Sequence, residues 1–161
     1  MSKEEAFINA IKKNEGIIYK ITSVYSNSKD EQKDLYQEIV YQLWKSFDSF
    51  KGKSKFSTWM YRVALNTSIA HINKGKKRIN PVSMDFQLLT IPDENDTLTA
   101  ERLSILYAHI KLLNAVEKGL ILLFLEGKSY EEIATITGFS KTNVGTRLGR
   151  IKNKLRFQIN K

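Results

Sequence analysis

The sequence predicts an all-α protein of two small helical domains joined by an extended linker. Three observations lead there. Apolar residues recur at spacings of three and four along most of the chain, the signature of amphipathic helices, and alternating strand patterns are absent. The only two prolines, Pro81 and Pro92, fall in one stretch without a steady period. The 161 residues carry a net charge of +9, distributed as +6 over residues 1–77, −3 over 78–99 and +6 over 100–161. The expected organisation is therefore a domain over 1–77, a linker over 78–99 and a domain over 100–161, a reasonable division for this length.

Residues 4–26 read as a first helix, with Phe7, Ile11, Ile18 and Ile21 on its apolar side and Gly16 weakening its middle. Ser28 followed by Glu31 has capping-box spacing and starts a second helix running to about Ser46. Leu35, Ile39, Leu43 and Phe47 form its core stripe. Asp34, Gln37, Glu38, Tyr41 and Lys45 share another face, an acidic patch within a basic half. Asp48–Lys55 reads as a loop containing Phe50. A third helix, Phe56–Asn73, carries Trp59, Met60, Val63, Leu65 and Ile69 and ends in a basic KGKKR run. Phe50 and Trp59 have two readings. They could pack in the core, or they could offer rings on which single-stranded bases stack beside lysines.

After the linker, Ala100–Asn114 reads as a helix with Leu103, Leu106, Tyr107, Ile110 and Leu113 on one side, and Glu117–Glu126 as another, closed by Gly127. Ser129 with Glu132 is a capping box opening a short helix, Gly138 supplies the left-handed residue of a tight turn, and Ser140 caps the next helix. In that last helix Val144, Leu148, Ile151 and Leu155 step by four, three and four, one narrow buried stripe. The opposite face carries Thr142, Thr146, Gly149 and Asn153, flanked by Asn143 and Arg150, with no acid between Ser140 and Phe157. This is a helix-turn-helix whose second helix suits a DNA major groove, because short side chains permit close approach and Arg or Asn can read base edges.

Composition narrows the function further. The chain has no cysteine, so disulfides and thiolate metal sites are excluded. His71 and His109 have no partner at ligand spacing, and neither a metal site nor a cofactor is expected. The longest apolar run, Leu120–Leu125, is far short of a membrane span, and the MSKEEAF start lacks a signal-peptide pattern, so a cytoplasmic location without membrane insertion is expected. GKS occurs at Gly52 and at Gly127, but the glycine that a phosphate loop needs five residues earlier is Phe47 in one case and Leu122 in the other. No residue arrangement suggests catalysis. Two basic blocks point to a polyanionic partner.

Three segments, DLYQEIVYQLWKSFDSFKG, FSTWMYRVALNTSIAHINK and LEGKSYEEIATITGFSKTNVGTRLGRIKNKLR, together resemble the extracytoplasmic-function branch of the bacterial sigma-70 factors. The resemblance covers nearly all of the chain except the linker. It implies a promoter-recognition subunit of RNA polymerase, not an enzyme in itself, with a region 2 domain and a region 4 domain. Asp34, Gln37, Glu38 and Tyr41 match family positions that dock the clamp of the largest polymerase subunit. Ser49, Phe50, Lys51 and Lys53 of the loop, with Tyr61, Arg62 and Asn66 of the following helix, match the part that captures bases of the −10 element. Lys141, Thr142, Asn143, Thr146, Arg147 and Arg150 match the reader of the −35 element. Further partners implied are promoter DNA, the flap of the second-largest subunit and an anti-sigma factor. The linker resembles the family's connector through the polymerase's nucleic-acid channels.

Three positions and one short segment depart from the family pattern. Gly145 stands where Lys or Arg is common, Gly149 replaces a larger residue, Ala70 stands where some members use a polar residue, and Asn114–Val116 replaces a Leu-Pro entry. The competing reading is a helix-turn-helix repressor or activator that never binds polymerase. It leaves the acidic face and aromatic loop of the first half without a role. A helical adaptor binding only protein would instead leave the basic recognition face idle.

Overall fold

The computed structural model describes residues 2–50, 55–75 and 97–160. Every regular element among them is helical: α1 (Lys3–Val24), α2 (Lys29–Ser46), a short 3₁₀ turn (Phe47–Ser49), α3 (Phe56–Gly75), α4 (Thr97–Ile110), α5 (Ala115–Leu125), α6 (Tyr130–Thr137) and α7 (Lys141–Ile159). The chain divides into two compact units, Met1–Pro81 and Val82–Lys161. The all-α expectation is met. Most of the linker, residues 78–96, lies outside the described residues, and so do Lys51 and Lys53 of the loop.

In the first unit α2 packs on both α1 and α3. Leu35, Ile39 and Leu43 of α2 are buried against Phe7, Ile18 and Ile21 of α1 and Met60, Ala64 and Leu65 of α3 in one core. Each fully buried aliphatic side chain contributes about 1.5–3 kcal/mol. Hydroxyls inside this core are satisfied locally: Ser68 Oγ donates to the Ala64 carbonyl at 2.8 Å and Ser26 Oγ to the Thr22 carbonyl at 2.6 Å. The α2 cap differs from a simple capping box. Ser28 Oγ accepts from the Glu31 N–H at 3.1 Å, but the Glu31 carboxylate accepts from the Asn27 N–H at 3.3 Å and meets His71 Nε2 of α3 at 3.0 Å. His71 therefore ties the far part of α3 to the start of α2.

In the second unit α7 packs against α4, α5 and α6. The buried apolar side chains are Tyr107, Ile110 and Leu113, the Leu120–Leu123 run of α5, Ile133 and Ile136 of α6, and the Val144–Leu148–Ile151–Leu155 stripe. Both ends of α4 and the start of α5 shift from the expected boundaries. No proline follows Pro92, and α4 begins at Thr97 rather than Ala100. It ends at Ile110 rather than continuing to Asn114. Asn114 instead caps α5, accepting from the Glu117 N–H at 2.9 Å while Glu117 Oε1 accepts from the Asn114 N–H at 3.2 Å. That reciprocal pair opens α5 at Ala115 and takes the place of a Leu-Pro entry.

Candidate nucleic-acid interface

The helix-turn-helix forms because each of its ends is capped. Ser129 and Glu132 close a full capping box, with both hydrogen bonds at 3.1 Å. Gly138 has φ +85°, where an L side chain would be strained, and its N–H donates to the Ala134 carbonyl at 2.8 Å. Ser140 Oγ then accepts from the Asn143 N–H at 3.1 Å and starts α7. With its Val144 stripe buried, α7 turns Thr142, Thr146, Gly149, Arg150 and Asn153 to solvent.

The six expected −35 readers separate into two groups. Thr142, Thr146 and Arg150 are exposed. Arg150 holds no partner among the described residues, and the Thr146 hydroxyl donates to the Thr142 carbonyl at 3.1 Å while keeping its acceptor lone pairs. The other three are engaged within the unit. Lys141 Nζ lies 3.1 Å from Glu131 of α6. Arg147 Nε donates to Asn143 Oδ1 at 3.2 Å, and its guanidinium lies 4.6 Å from the centre of the Phe139 ring. The Lys141 pair is surface-exposed and worth only about 0–1 kcal/mol, so it yields readily to a phosphate; Arg147 is braced from two sides. Gly149 has nothing within 4 Å of where a Cβ would be, whereas a Cβ at Gly145 would stand 3.4 Å from the Tyr130 ring. Only Gly149 thins the open face. Gly145 belongs to the flank that meets α6, a distinction that helical periodicity cannot make. Phe157, 70 % exposed, continues the outward row Thr146, Arg150, Asn153, Phe157 at steps of four, three and four. That spacing is present in the sequence, yet the sequence-based site leaves Phe157 out.

In the first unit Asp34, Gln37, Glu38 and Tyr41 are all exposed along α2. Glu38 Oε1 accepts from Gln42 Nε2 at 2.9 Å. Asp34, Glu38 and Gln42 form one wall of an open cleft of about 570 Å³ whose other wall is Asn66, Ala70, His71 and Lys74 of α3. The sequence assigns Asp34 and Glu38 to one function and Asn66 to another; the packing of α2 on α3 sets them around one cavity. Ala70 leaves that cavity wider than a polar side chain would.

Of the remaining expected −10 residues, Ser49, Arg62 and Asn66 are exposed. Tyr61 is corrected: at 2 % exposure it belongs to the core. Its steps of three, four and seven to Ala64, Leu65 and Ser68, all buried, put it on the inner side of α3, while Arg62 and Asn66 share the outer side. Phe50 takes a position between its two readings. It is half-buried at the end of a row of rings: its centroid lies 5.2 Å from Trp59 and 5.6 Å from Phe56. Trp59 contacts Phe47 at 6.2 Å, and Phe47 contacts Phe7 at 5.2 Å. Such tilted and edge-on pairs contribute about 0.5–1.5 kcal/mol each beyond area burial.

Comparison with known proteins gives concordant matches. The family model for sigma-70 region 2 matches residues 10–78, and that for sigma-70 region 4 matches residues 103–155, together most of the chain. The ECF RNA polymerase sigma-E factor of Haemophilus influenzae is 29 % identical over 145 residues, covering 82 % of this chain and 76 % of that protein. The RNA polymerase sigma factor SigV of Bacillus subtilis is 28 % identical over 146 residues, covering 89 % and 84 %. Among solved structures, the sigma factor RpoE in complex with the anti-sigma factor NepR from Bartonella quintana superposes with a TM-score of 0.78 at 21 % identity, covering 97 % of this chain and 98 % of that one. CnrH in complex with the cytosolic domain of CnrY gives 0.69 at 18 % identity, covering 99 % and 90 %. Among the described residues no helix is long and apolar enough to cross a membrane.

Proposed function

This chain belongs to the extracytoplasmic-function branch of the sigma-70 family of RNA polymerase sigma factors, and from that premise we propose how its two halves divide their roles. It directs core polymerase to promoters and initiates transcription there, contributing recognition and DNA melting rather than a catalytic step. Residues 1–77 dock the polymerase clamp through Asp34, Gln37, Glu38 and Tyr41. The same domain captures melted −10 DNA with the Phe50 loop, Arg62 and Asn66. Residues 78–99 form the connector. Residues 100–161 read the −35 element with α7 and meet the polymerase flap. An anti-sigma factor is a partner of the class that accompanies the superposed RpoE structure.

The observation that carries the −35 assignment is the outward face of α7, where Thr142, Thr146 and Arg150 stand open on an acid-free helix capped at its start. The −10 assignment rests on Phe50, whose half-exposed ring lies beside Trp59 and Phe56 and which immediately precedes Lys51 and Lys53 in sequence. Capturing a base there requires it to leave the stack, which costs a few kcal/mol and which stacking on a ring offsets by roughly 1–3 kcal/mol. The test is in vitro transcription with core polymerase on a randomised promoter library. The expected result is enrichment of two elements at fixed separation, with transcription dependent on this chain. Binding of duplex DNA without any polymerase-dependent transcript would instead support a plain helix-turn-helix regulator.

A further inference from the structure

The α7 helix carries six basic residues: Lys141, Arg147, Arg150, Lys152, Lys154 and Arg156. On charge alone all six are candidates for DNA phosphates. The structure divides them. Lys141 pairs with Glu131, Arg147 lies on Phe139, and Lys154 meets Glu117 of α5 at 3.4 Å. Lys152 is the most enclosed by rings. Its Nζ sits 3.8 Å from the centre of the Phe124 ring in the last turn of α5, and 3.4 Å from the Tyr130 hydroxyl at the start of α6. Tyr130 in turn lies along α7: its ring edge is 3.4 Å from the Cβ position of Gly145, two turns before Lys152 on the same flank. A Cβ at 145 would rest in van der Waals contact with that ring. Gly145, Tyr130, Lys152 and Phe124 thus form one cluster joining three helices, and it sits beside the outward face rather than on it.

We infer that Lys152 and Tyr130 are positioning residues for −35 recognition: the Phe124–Lys152–Tyr130 cluster, seated on Gly145, fixes the roll of α7 so that Thr142, Thr146 and Arg150 meet the groove in register. The Lys152 charge is held by a ring face and a phenol oxygen, not given to DNA. Cation–π attraction depends on where the cation sits over the ring, so it adds to the restraint that packing of the Val144 stripe already places on rotation of α7 about its own axis. Gly145, where the family pattern favours a cation, lets the Tyr130 ring lie close along this flank of α7. This inference rests on the −35 assignment above.

The experiment measures binding of the full chain, reconstituted with core polymerase, to duplex promoters carrying either the selected or a scrambled −35 element, as a function of salt. Removing one phosphate interaction lowers the slope of log affinity against log salt by about 0.9. Lys152→Met keeps the length and apolar stem and removes the cation. It is expected to reduce discrimination between the two duplexes by roughly five-fold, the size of one cation–π interaction, with the salt slope unchanged. Tyr130→Phe removes only the hydroxyl and is expected to show a smaller loss of the same kind. Lys152→Arg, which keeps a cation for the ring, restores discrimination. A slope reduced by about 0.9 in Lys152→Met would make Lys152 a phosphate ligand and overturn the inference. So would a lowered melting temperature with unchanged discrimination, which means a merely structural role. Arg150→Ala serves as the control: if neither it nor Lys152→Met alters discrimination, affinity or the salt slope, the −35 assignment itself has failed, whereas a loss of discrimination confined to Arg150→Ala refutes only the positioning role.

Discussion

Charge reversal at Glu38 separates a polymerase-docking subunit from an independent DNA binder. Glu38 is exposed on α2, and its carboxylate accepts a hydrogen bond from Gln42, one turn along the same helix. An i,i+4 pair of that kind contributes about 0.2–0.5 kcal/mol, and surface substitutions generally stay within about 0.5 kcal/mol. For a domain of this size that corresponds to a melting-temperature change of about 2–4 °C. The core stripe of α2, Leu35, Ile39 and Leu43, points elsewhere and is untouched. At an interface the same substitution acts on a different scale. Disrupting a desolvated charge pair costs about 2–5 kcal/mol, roughly a thirty-fold drop in affinity or more, and a lysine here also enters a cleft already lined by Lys74 and His71. Glu38→Lys should therefore fold and melt almost like the parent, fail to co-purify with core polymerase, and give no promoter-specific transcript. Co-purification at the parental level would refute the docking assignment, and with it the reason for an acidic face in a basic domain.

Arg150→Ala should cost roughly 1–3 kcal/mol and relax preference at one −35 position if the guanidinium reads a base; an even loss across sequences with the salt slope lowered by about 0.9 would make it a phosphate ligand. Phe50→Ala should impair open-complex formation on duplex promoters more than initial binding, read by permanganate reactivity against filter binding; equal losses of melting temperature and activity would give the ring a purely structural role beside Trp59 and Phe56. Gly149→Ala should raise the melting temperature, since alanine is favoured over glycine by up to about 1 kcal/mol in a helix interior and nothing lies within 4 Å of the new methyl, while weakening −35 binding if the face packs closely on DNA; gain in both would show that this turn stands clear of the groove. Burial, and then the negative charge of Glu15, push the Tyr36 phenol above its ordinary value. The folded state thus holds that proton more tightly than the unfolded chain, so Tyr36 costs nothing near neutrality and stability falls as pH rises through and beyond about 10; Tyr36→Phe should flatten that alkaline loss in denaturant titrations.

Much of this protein follows from local rules that the sequence states by itself. Capping residues Ser28, Ser129 and Ser140 and the turn glycine Gly138 fix where helices begin and reverse, because the groups involved lie within four residues of each other. The Val144 stripe and the Leu35 stripe are readable because a helix repeats every 3.6 residues whatever it packs against. Asn114 with Glu117 has the same capping-box spacing, and the boundary is missed only because the apolar pattern of α4 runs on to Leu113. The tertiary structure decides which polar residues are available. Tyr61 and Arg62 are neighbours in sequence, yet α3 turns one into the core and the other to solvent. Lys141 and Arg147, expected from the sequence to meet DNA, pair within the unit with Glu131 and Phe139, and Lys152 lies on Phe124; those partners lie 10, 8 and 28 positions away, beyond the reach of any helical periodicity. The cleft that joins Asp34 and Glu38 to Asn66 and Ala70 exists only because α2 packs on α3. Periodicity assigns a residue to a face of its own helix; only packing assigns that face a neighbour.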